Sequence, residues 1–441
     1  ADNRHCHHHH AHCVCRQFDQ LAAHRGRSVG EESGDYARQK FGTEEARCGD
    51  CHTAEDTHFQ DLQYAPVELC AVVDAADRLK ALTDAEPDEI AQAAHAALYN
   101  KKARNIKIYR VEGNSDIADY MADQFPFRDF FIRVKAAAEM ALGKMGNNGV
   151  ILGEGGTLIP RSETIHRDNL TKNLSAIAAF TAWCENKGIP TTTAVAGRSA
   201  DVLHHTLPNF YGSAYSDALW GTLAEEAHAL NRPILPLRDP LHERAKAGEY
   251  VYYRTDHHWT TLGAYYGTKE ILAEMGEEIA PIEFYTREVV SDAFFGTTWS
   301  TAGMSWIAPD TMEYFRFAGD TDFTTTILDN GTSFAGFYDR SYLARKDKYS
   351  SFIGGNNALV TVTKNGDADR PTLLLVKDSF AHSAVPFLAQ HYDLLIVDIR
   401  YYKKSTAALI DEYGVDRVLV LYNIDSLTSS ADSVLLRAGL D

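Results

Sequence analysis

The sequence predicts an α/β fold in which a mainly parallel sheet is covered by helices on both faces. Short continuous apolar runs, typical of strands buried on both faces, occupy residues 373–376, 394–399 and 417–421. Helical patterns alternate with them, at residues 381–390 and 406–413. The chain has 441 residues, 45% of them hydrophobic, which is enough to bury a large core.

The N-terminal part of the chain differs from the rest. Residues 1–65 are rich in His and Cys and show no periodicity, which predicts a poorly ordered tail. It contains the haem-attachment pattern C-x-x-C-H at residues 48–52, without the apolar helices that a haem pocket needs. Residues 66–145 have helical spacing and predict a helical extension.

From residue 146 to the C-terminus we predict one α/β domain. A strand at 149–153 enters a glycine turn, and Thr260 or Thr261 can cap a later helix. The other predicted elements before residue 280 are a helix at 170–187, a strand at 191–195, a helix at 213–230, a strand at 233–237 and a helix at 260–275. Residues 280–365 break the alternation and predict a β-rich insertion.

Charge and hydropathy exclude some classes of function. The net charge is -18, so the surface repels phosphate backbones and argues against a nucleic-acid partner. No apolar run approaches the ~20 residues of a membrane span. No basic-then-apolar signal segment opens the chain, which begins with Ala rather than Met.

Ser379 follows an apolar strand and precedes a helix. At such a junction its hydroxyl lies at the carboxyl edge of the sheet, and the free N–H groups of the next helix can stabilise an oxyanion beside it. The alternative is that Ser379 or Asp378 only caps that helix.

Asp256 and His258 are the candidate acid and base. They are two residues apart, so in an extended segment their side chains point the same way. A His next to a carboxylate can remove the proton of a serine hydroxyl. The alternative is a metal site that includes His257, although adjacent side chains of a strand diverge.

A third motif, Gly354-Gly355-Asn356, can present backbone N–H groups and an amide to a substrate oxygen. In isolation it is also typical of a turn between two strands. Two rival serine motifs, around Ser28 and Ser333, lack a convincing preceding strand.

Together these segments resemble the bacterial DHHW protein family, which is related to the SGNH-hydrolase-like domain of alginate O-acetylation proteins. The resemblance covers residues 115–425. It rests on four ordered motifs, Asp-His-His-Trp at 256–259, Tyr-Ser-Ser-Phe-Ile-Gly-Gly-Asn at 349–356, Lys-Asp-Ser-Phe-Ala-His-Ser at 377–383 and Val-Asp-Ile-Arg-Tyr at 397–401.

The resemblance implies an SGNH-like three-layer sandwich with Ser379 as nucleophile, His258 as base and Asp256 as orienting acid. Arg400 would bind an anionic group, and Gly355 and Asn356 would contact the oxyanion or substrate. The chain departs from the pattern at Lys377, where related families more often have Gly; this side chain either leaves the turn unaffected or crowds it.

The implied function is an O-acetyl esterase or O-acetyltransferase acting on cell-surface carbohydrate, without cofactor or metal. The implied partners are a carbohydrate or acyl-ester substrate and a membrane protein that donates acetyl groups. The implied location is extracellular or in the cell envelope. The alternative is an inactive carbohydrate-binding or polysaccharide-assembly protein.

Overall fold

The computed structural model describes residues 128–161, 165–208, 211 and 214–440. The predicted tail, most of the helical extension, the C-x-x-C-H pattern and Ser28 lie outside the described residues. Among the helices that the structure describes, none is long and apolar enough to cross a membrane.

Helices and strands alternate along most of the described chain. The helices are α1 Arg128–Ala141, α2 Arg167–Asn186, α3 Ser199–Val202, α4 Ala214–Ala229, α5 Arg238–Lys246, α6 Thr261–Glu274, α7 Thr297–Ala302, α8 Val385–Leu388, α9 Thr406–Glu412 and α10 Ile424–Ser429. The strands are β1 Gly146–Asn147, β2 Val150–Leu152, β3 Leu158–Pro160, β4 Thr191–Ala196, β5 Leu235–Pro236, β6 Thr286–Phe294, β7 Asp310–Arg316, β8 Phe323–Ile327, β9 Thr332–Ala335, β10 Leu359–Lys364, β11 Thr372–Lys377, β12 Asp393–Val397 and β13 Arg417–Asn423.

The main sheet has eight strands in the order β5-β4-β13-β11-β12-β10-β8-β9. From β5 to β12 the pairings are parallel, whereas β10, β8 and β9 pair antiparallel. The sheet is therefore mixed. Strands β8, β9 and β10, from the segment expected to be an insertion, extend this sheet, while β6 and β7 form a separate antiparallel pair.

The central strands are apolar on both faces because both faces are covered. In β11, Leu373 and Leu375 belong to one core cluster, and Leu374 and Val376 belong to the other. Residues of α6 belong to the first cluster and residues of α2 to the second. All four β11 side chains are fully buried. This explains why the strands have no polar alternation in the sequence.

One local prediction is confirmed and another is wrong. Thr260 is the cap of α6, with its hydroxyl accepting from the Gly263 N–H at 3.1 Å. The helix expected at 381–390 is instead a 3₁₀ segment, Ser379–Ala384, followed by the single turn of α8. Pro386 lacks the N–H that would bond the fourth residue before it, which disfavours a regular α-helix there.

The carboxyl ends of the parallel strands lie at one edge of the sheet. Ser379 follows β11 there, Arg198 follows β4, Arg400 follows β12, and Asn423 ends β13. Ligands of open α/β sheets bind at this edge.

Candidate active site

The turn after β11 separates the capping residue from the exposed serine. Asp378 is the N-cap, because its Oδ1 accepts from the Phe380 N–H at 2.9 Å. Its Oδ2 accepts from the Asn423 N–H at 2.7 Å and the Ser426 hydroxyl at 2.6 Å. Asp378 therefore makes the capping bond, and the Ser379 hydroxyl is free to bind another partner.

That partner is His258. Its Nε2 lies 2.8 Å from the Ser379 Oγ, and its Nδ1 lies 2.6 Å from Asp256 Oδ1. An ionised carboxylate can only accept, so the Nδ1–H donates to Asp256 and the Nε2 lone pair accepts from the serine. The structure brings the three predicted residues together in the order that a serine–histidine–aspartate triad needs.

The Asp256 carboxylate is buried but fully hydrogen-bonded. Its Oδ1 also accepts from the His258 N–H at 3.0 Å, and its Oδ2 accepts from the Thr297 N–H at 2.8 Å. Burial alone would raise the pKa of Asp256, but His258, His257 and the Thr297 N–H hold it well below its usual range. A Cβ at Gly296 would lie 2.2 Å from Asp256 Oδ2, so only glycine fits there. Neither Gly296 nor Thr297 carried a signal in the sequence.

Long-range contacts hold the Asp-His-His-Trp loop in place. Tyr252 and Trp259 form an antiparallel bridge, and residues 254–258 bend between them. The buried Asp310 carboxylate accepts from the Thr255 N–H at 2.8 Å and its hydroxyl at 2.6 Å. The Trp259 indole N–H donates to the Phe380 carbonyl at 2.8 Å, which ties this loop to the serine turn.

Tyr349 is a residue that sequence reasoning missed. Its ring stacks on the His258 ring at a centroid distance of 3.9 Å and an interplanar angle of 13°. Its hydroxyl contacts the Ser379 carbonyl oxygen at 3.2 Å. Tyr349 lies in the second of the four family motifs, so its position beside the Gly-Gly-Asn sequence was the signal available.

Gly355 and Asn356 of the same motif lie differently from the expectation. The Gly355 N–H donates to the Phe352 carbonyl at 3.1 Å, and its φ of 81° suits a glycine in a turn. That N–H is therefore used by the turn rather than offered to a substrate. Asn356 is exposed and connects to the site through Arg400, with its Oδ1 3.4 Å from the guanidinium.

Lys377 points away from the serine turn into the interior. Its ammonium donates to His382 Nε2 at 2.7 Å and to Asp398 Oδ2 at 3.1 Å, and the side chain is 1% exposed. Desolvation lowers the pKa of Lys377, against the opposing effect of Asp398. Asp398 also binds Arg400 through two N–H groups, at 2.9 and 2.6 Å. Lys377 therefore does not crowd the turn.

A cleft of about 190 Å³ opens above Ser379. Its polar walls come from four strand ends and from the Asp-His-His-Trp loop. The cleft walls include Ser379, His257, Arg400 and Arg198. The Arg198 guanidinium is held by the buried Asp201 carboxylate at 2.7 and 2.9 Å. Two guanidinium groups, each paired with a buried carboxylate, thus line the cleft beside the candidate nucleophile, together with the carboxylates of Asp378 and Asp425.

A metal site is the competing interpretation of the same loop. Asp256, His257 and His258 each present one ligand atom, all within 4.8 Å of one another. The expectation that the two histidines diverge is wrong, because the loop bends and the ring centroids lie 3.8 Å apart. However, His258 uses Nδ1 for Asp256 and Nε2 for Ser379. An ion on this ring would replace one of those hydrogen bonds.

Residues 241–398 match the family model described as DHHW protein, which confirms the resemblance inferred from the motifs. No curated protein sequence matches the chain significantly.

Solved structures give the fold. A DHHW family protein from Eubacterium siraeum is 22% identical, with 66% of this chain and 96% of that chain covered and a TM-score of 0.54. Bacillus cereus PatB1 with a sulfonyl adduct is 18% identical, with coverage of 64% and 96% and a TM-score of 0.52. The O-acetyltransferase domain of Pseudomonas putida AlgJ is 15% identical, with coverage of 64% and 92% and a TM-score of 0.40. The first two likenesses establish a shared fold.

Proposed function

Because residues 241–398 carry the DHHW match and hold the loop that faces Ser379, we propose that this protein is a serine-dependent acyl-transfer enzyme of SGNH-like three-layer fold. The observation that carries the proposal is the hydrogen-bonded chain Ser379–His258–Asp256, at 2.8 and 2.6 Å. The Asp256 contact lies well inside the ~3.2 Å limit for an orienting hydrogen bond.

In the first half-reaction the Ser379 Oγ attacks the ester carbonyl while its proton passes to His258 Nε2. Asp256 keeps the imidazole in the required tautomer and stabilises the cation that forms. The alcohol of the ester leaves with that proton, and an acyl-Ser379 ester remains. In the second half-reaction water or a hydroxyl of a second substrate attacks the acyl group and releases Ser379.

The oxyanion needs donors close to Ser379. The first residues of a helical segment have N–H groups without an intrahelical acceptor. In the segment that begins at Ser379, the Phe380 N–H is taken by Asp378, so the Ser379 N–H is the donor that we assign to the oxyanion.

The family resemblance supports acetyl groups and cell-surface carbohydrate as the chemistry, with an extracellular or cell-envelope location. Arg400 and Arg198 line the cleft, each paired with a buried carboxylate, and support an oxygen-rich substrate that accepts hydrogen bonds. A carbohydrate-binding protein with an inactive site is the alternative. It differs from the proposal in one respect, the reactivity of Ser379.

A fluorophosphonate probe and a chromogenic acetate ester test this difference. We expect wild type to be labelled and to hydrolyse the ester, and Ser379→Ala to do neither. Ser333→Ala is the matched control, because Ser333 is the rival serine and lies on β9 with its hydroxyl against Thr326 at 2.9 Å. A sulfonyl fluoride is a useful second probe, since PatB1 carries a sulfonyl adduct. Equal labelling of wild type and Ser379→Ala would contradict the nucleophile assignment.

A further inference from the structure

His257 is a cleft residue that the proposed mechanism does not use. It lines the cleft together with Ser379, and its side chain is 42% exposed. Its ring lies 3.8 Å from the His258 ring, measured between centroids. The hydrogen bond that this ring can make toward the cleft depends on its tautomer.

Thr297 determines that tautomer. Its hydroxyl contacts Asp256 Oδ2 at 3.2 Å, and a carboxylate can only accept, so the hydroxyl donates there. A hydroxyl has one hydrogen. Its second contact, to His257 Nδ1 at 2.7 Å, therefore has the Nδ1–H donating to the threonine oxygen. In a neutral ring this leaves Nε2 as a lone pair, which is a hydrogen-bond acceptor.

The charges around His257 favour the neutral ring. Desolvation by the cleft walls, and then the neighbouring His258, lower the pKa of His257 to about 4, whereas Asp256 and Asp347 raise it and Arg400 lowers it further. At neutral pH the ring is uncharged, even though part of it is accessible from the cleft.

We propose that His257 Nε2 binds a second hydroxyl of the acyl acceptor, so that the site prefers vicinal diols, as carbohydrates present them, to isolated alcohols. This inference rests on the function proposed above and specifies its acceptor. Two adjacent rings then receive two adjacent hydroxyls. His258 acts on the hydroxyl that reacts, and His257 positions its neighbour.

The transfer step neither gains nor loses a proton overall. The reacting hydroxyl gives its proton to His258 Nε2 while its oxygen bonds to the acyl carbon of acyl-Ser379. The bond from that carbon to Ser379 Oγ then breaks, and Oγ takes the proton from His258. A new ester and a free serine result. The neighbouring hydroxyl donates to His257 Nε2 throughout and is not consumed.

The test is an internal competition for the acyl group. A chromogenic acetate ester is the donor, and the acceptors are cis-cyclohexane-1,2-diol and its monomethyl ether, which lacks the second donor. Product ratios are corrected for the two hydroxyls of the diol. Loss of one neutral hydrogen bond is expected to change the ratio by about three- to tenfold. Because the ratio is measured within one reaction, a slower variant remains interpretable.

We expect wild type to favour the diol by that factor and His257→Phe to bring the ratio close to one. His257→Gln keeps an acceptor oxygen and should retain part of the preference. His166→Phe is the matched control, since His166 is exposed at the start of α2 and its side chain makes no capping bond.

The outcomes are distinguishable. A wild-type protein that is not labelled by fluorophosphonate and transfers no acetyl group overturns the proposed function and this inference with it. A wild-type protein that is labelled but shows no diol preference overturns the inference alone. The same holds if His257→Phe keeps the wild-type ratio.

Discussion

Asp256→Asn is the substitution that most directly tests the geometry of the site. It removes a charge and replaces one acceptor oxygen by an amide that donates, with little change in shape. All four groups around the carboxylate are donors: the His258 N–H and Nδ1–H on Oδ1, and the Thr297 N–H and hydroxyl on Oδ2. In either orientation the amide NH₂ faces two donors.

The consequence for His258 follows from proton count. If the amide nitrogen faces Nδ1, the imidazole proton moves to Nε2, which then cannot accept the serine proton. We expect kcat/KM for a chromogenic acetate ester to fall by about 10⁴, the magnitude typical of amidation of a triad carboxylate. The unpaired buried donors should cost about 1–3 kcal/mol of unfolding free energy.

Initial rates and urea unfolding measure both effects. Asp310→Asn is the matched control, because Asp310 is equally buried and holds the same loop through Thr255 without touching His258. We expect it to lose stability but far less activity than Asp256→Asn. Activity of Asp256→Asn within tenfold of wild type, with Ser379→Ala inactive, would refute the reasoning.

Three further predictions concern the surroundings of the triad. Lys377→Met should lower the unfolding free energy by only about 1–3 kcal/mol, because Asp398 keeps its two bonds to Arg400. A loss above about 5 kcal/mol in urea unfolding would contradict this expectation. Folding lowers the pKa of His257 to about 4, from about 6.5 in an unfolded chain. As the pH drops, the unfolded chain therefore takes up the proton first. The free energy of unfolding should fall between about pH 6.5 and pH 4. The urea midpoint of His257→Gln should depend less steeply on pH between about pH 4 and 6.5. A slope equal to that of wild type would contradict the role given to His257. Dialysis against EDTA should leave probe labelling unchanged, whereas a loss that Zn²⁺ restores would favour the metal interpretation of the loop.

The central part of the fold could be predicted because its physical cause is local in the sequence. Strands β11, β12 and β13 are buried on both faces, so each appears as a continuous apolar run. The strands of the predicted insertion were harder to place. In β8, the half-buried Thr324 and Thr326 alternate with buried residues, a pattern shared by strands at many positions in a sheet. Its antiparallel partner β10 begins more than thirty residues later in the sequence, so local spacing cannot predict this pairing.

The same distinction applies to the site. Asp256 and His258 are two residues apart, so their possible contact could be inferred from spacing alone. The contact of His258 with Ser379 spans 121 residues, and here the ordered family motifs supplied what spacing could not. The support from Thr297 came from a segment with no periodicity or recognised motif, and the family motif that contains Tyr349 did not reveal its stacking on His258.

By itself the sequence determined which residue types could perform the chemistry and which strand carries the serine. The apolar run of β11 required a polar turn at its end, and the Asp-x-His spacing put an acid within reach of a base. Only the tertiary structure decided the direction of each side chain. Asp378 caps and Ser379 does not, Lys377 enters the interior, and the bent loop brings the His257 ring to 3.8 Å from the His258 ring, measured between centroids. The direction of each side chain depends on its burial and on its hydrogen bonds to distant segments. Packing determines which segments supply those hydrogen bonds, and the order of residues along the chain does not.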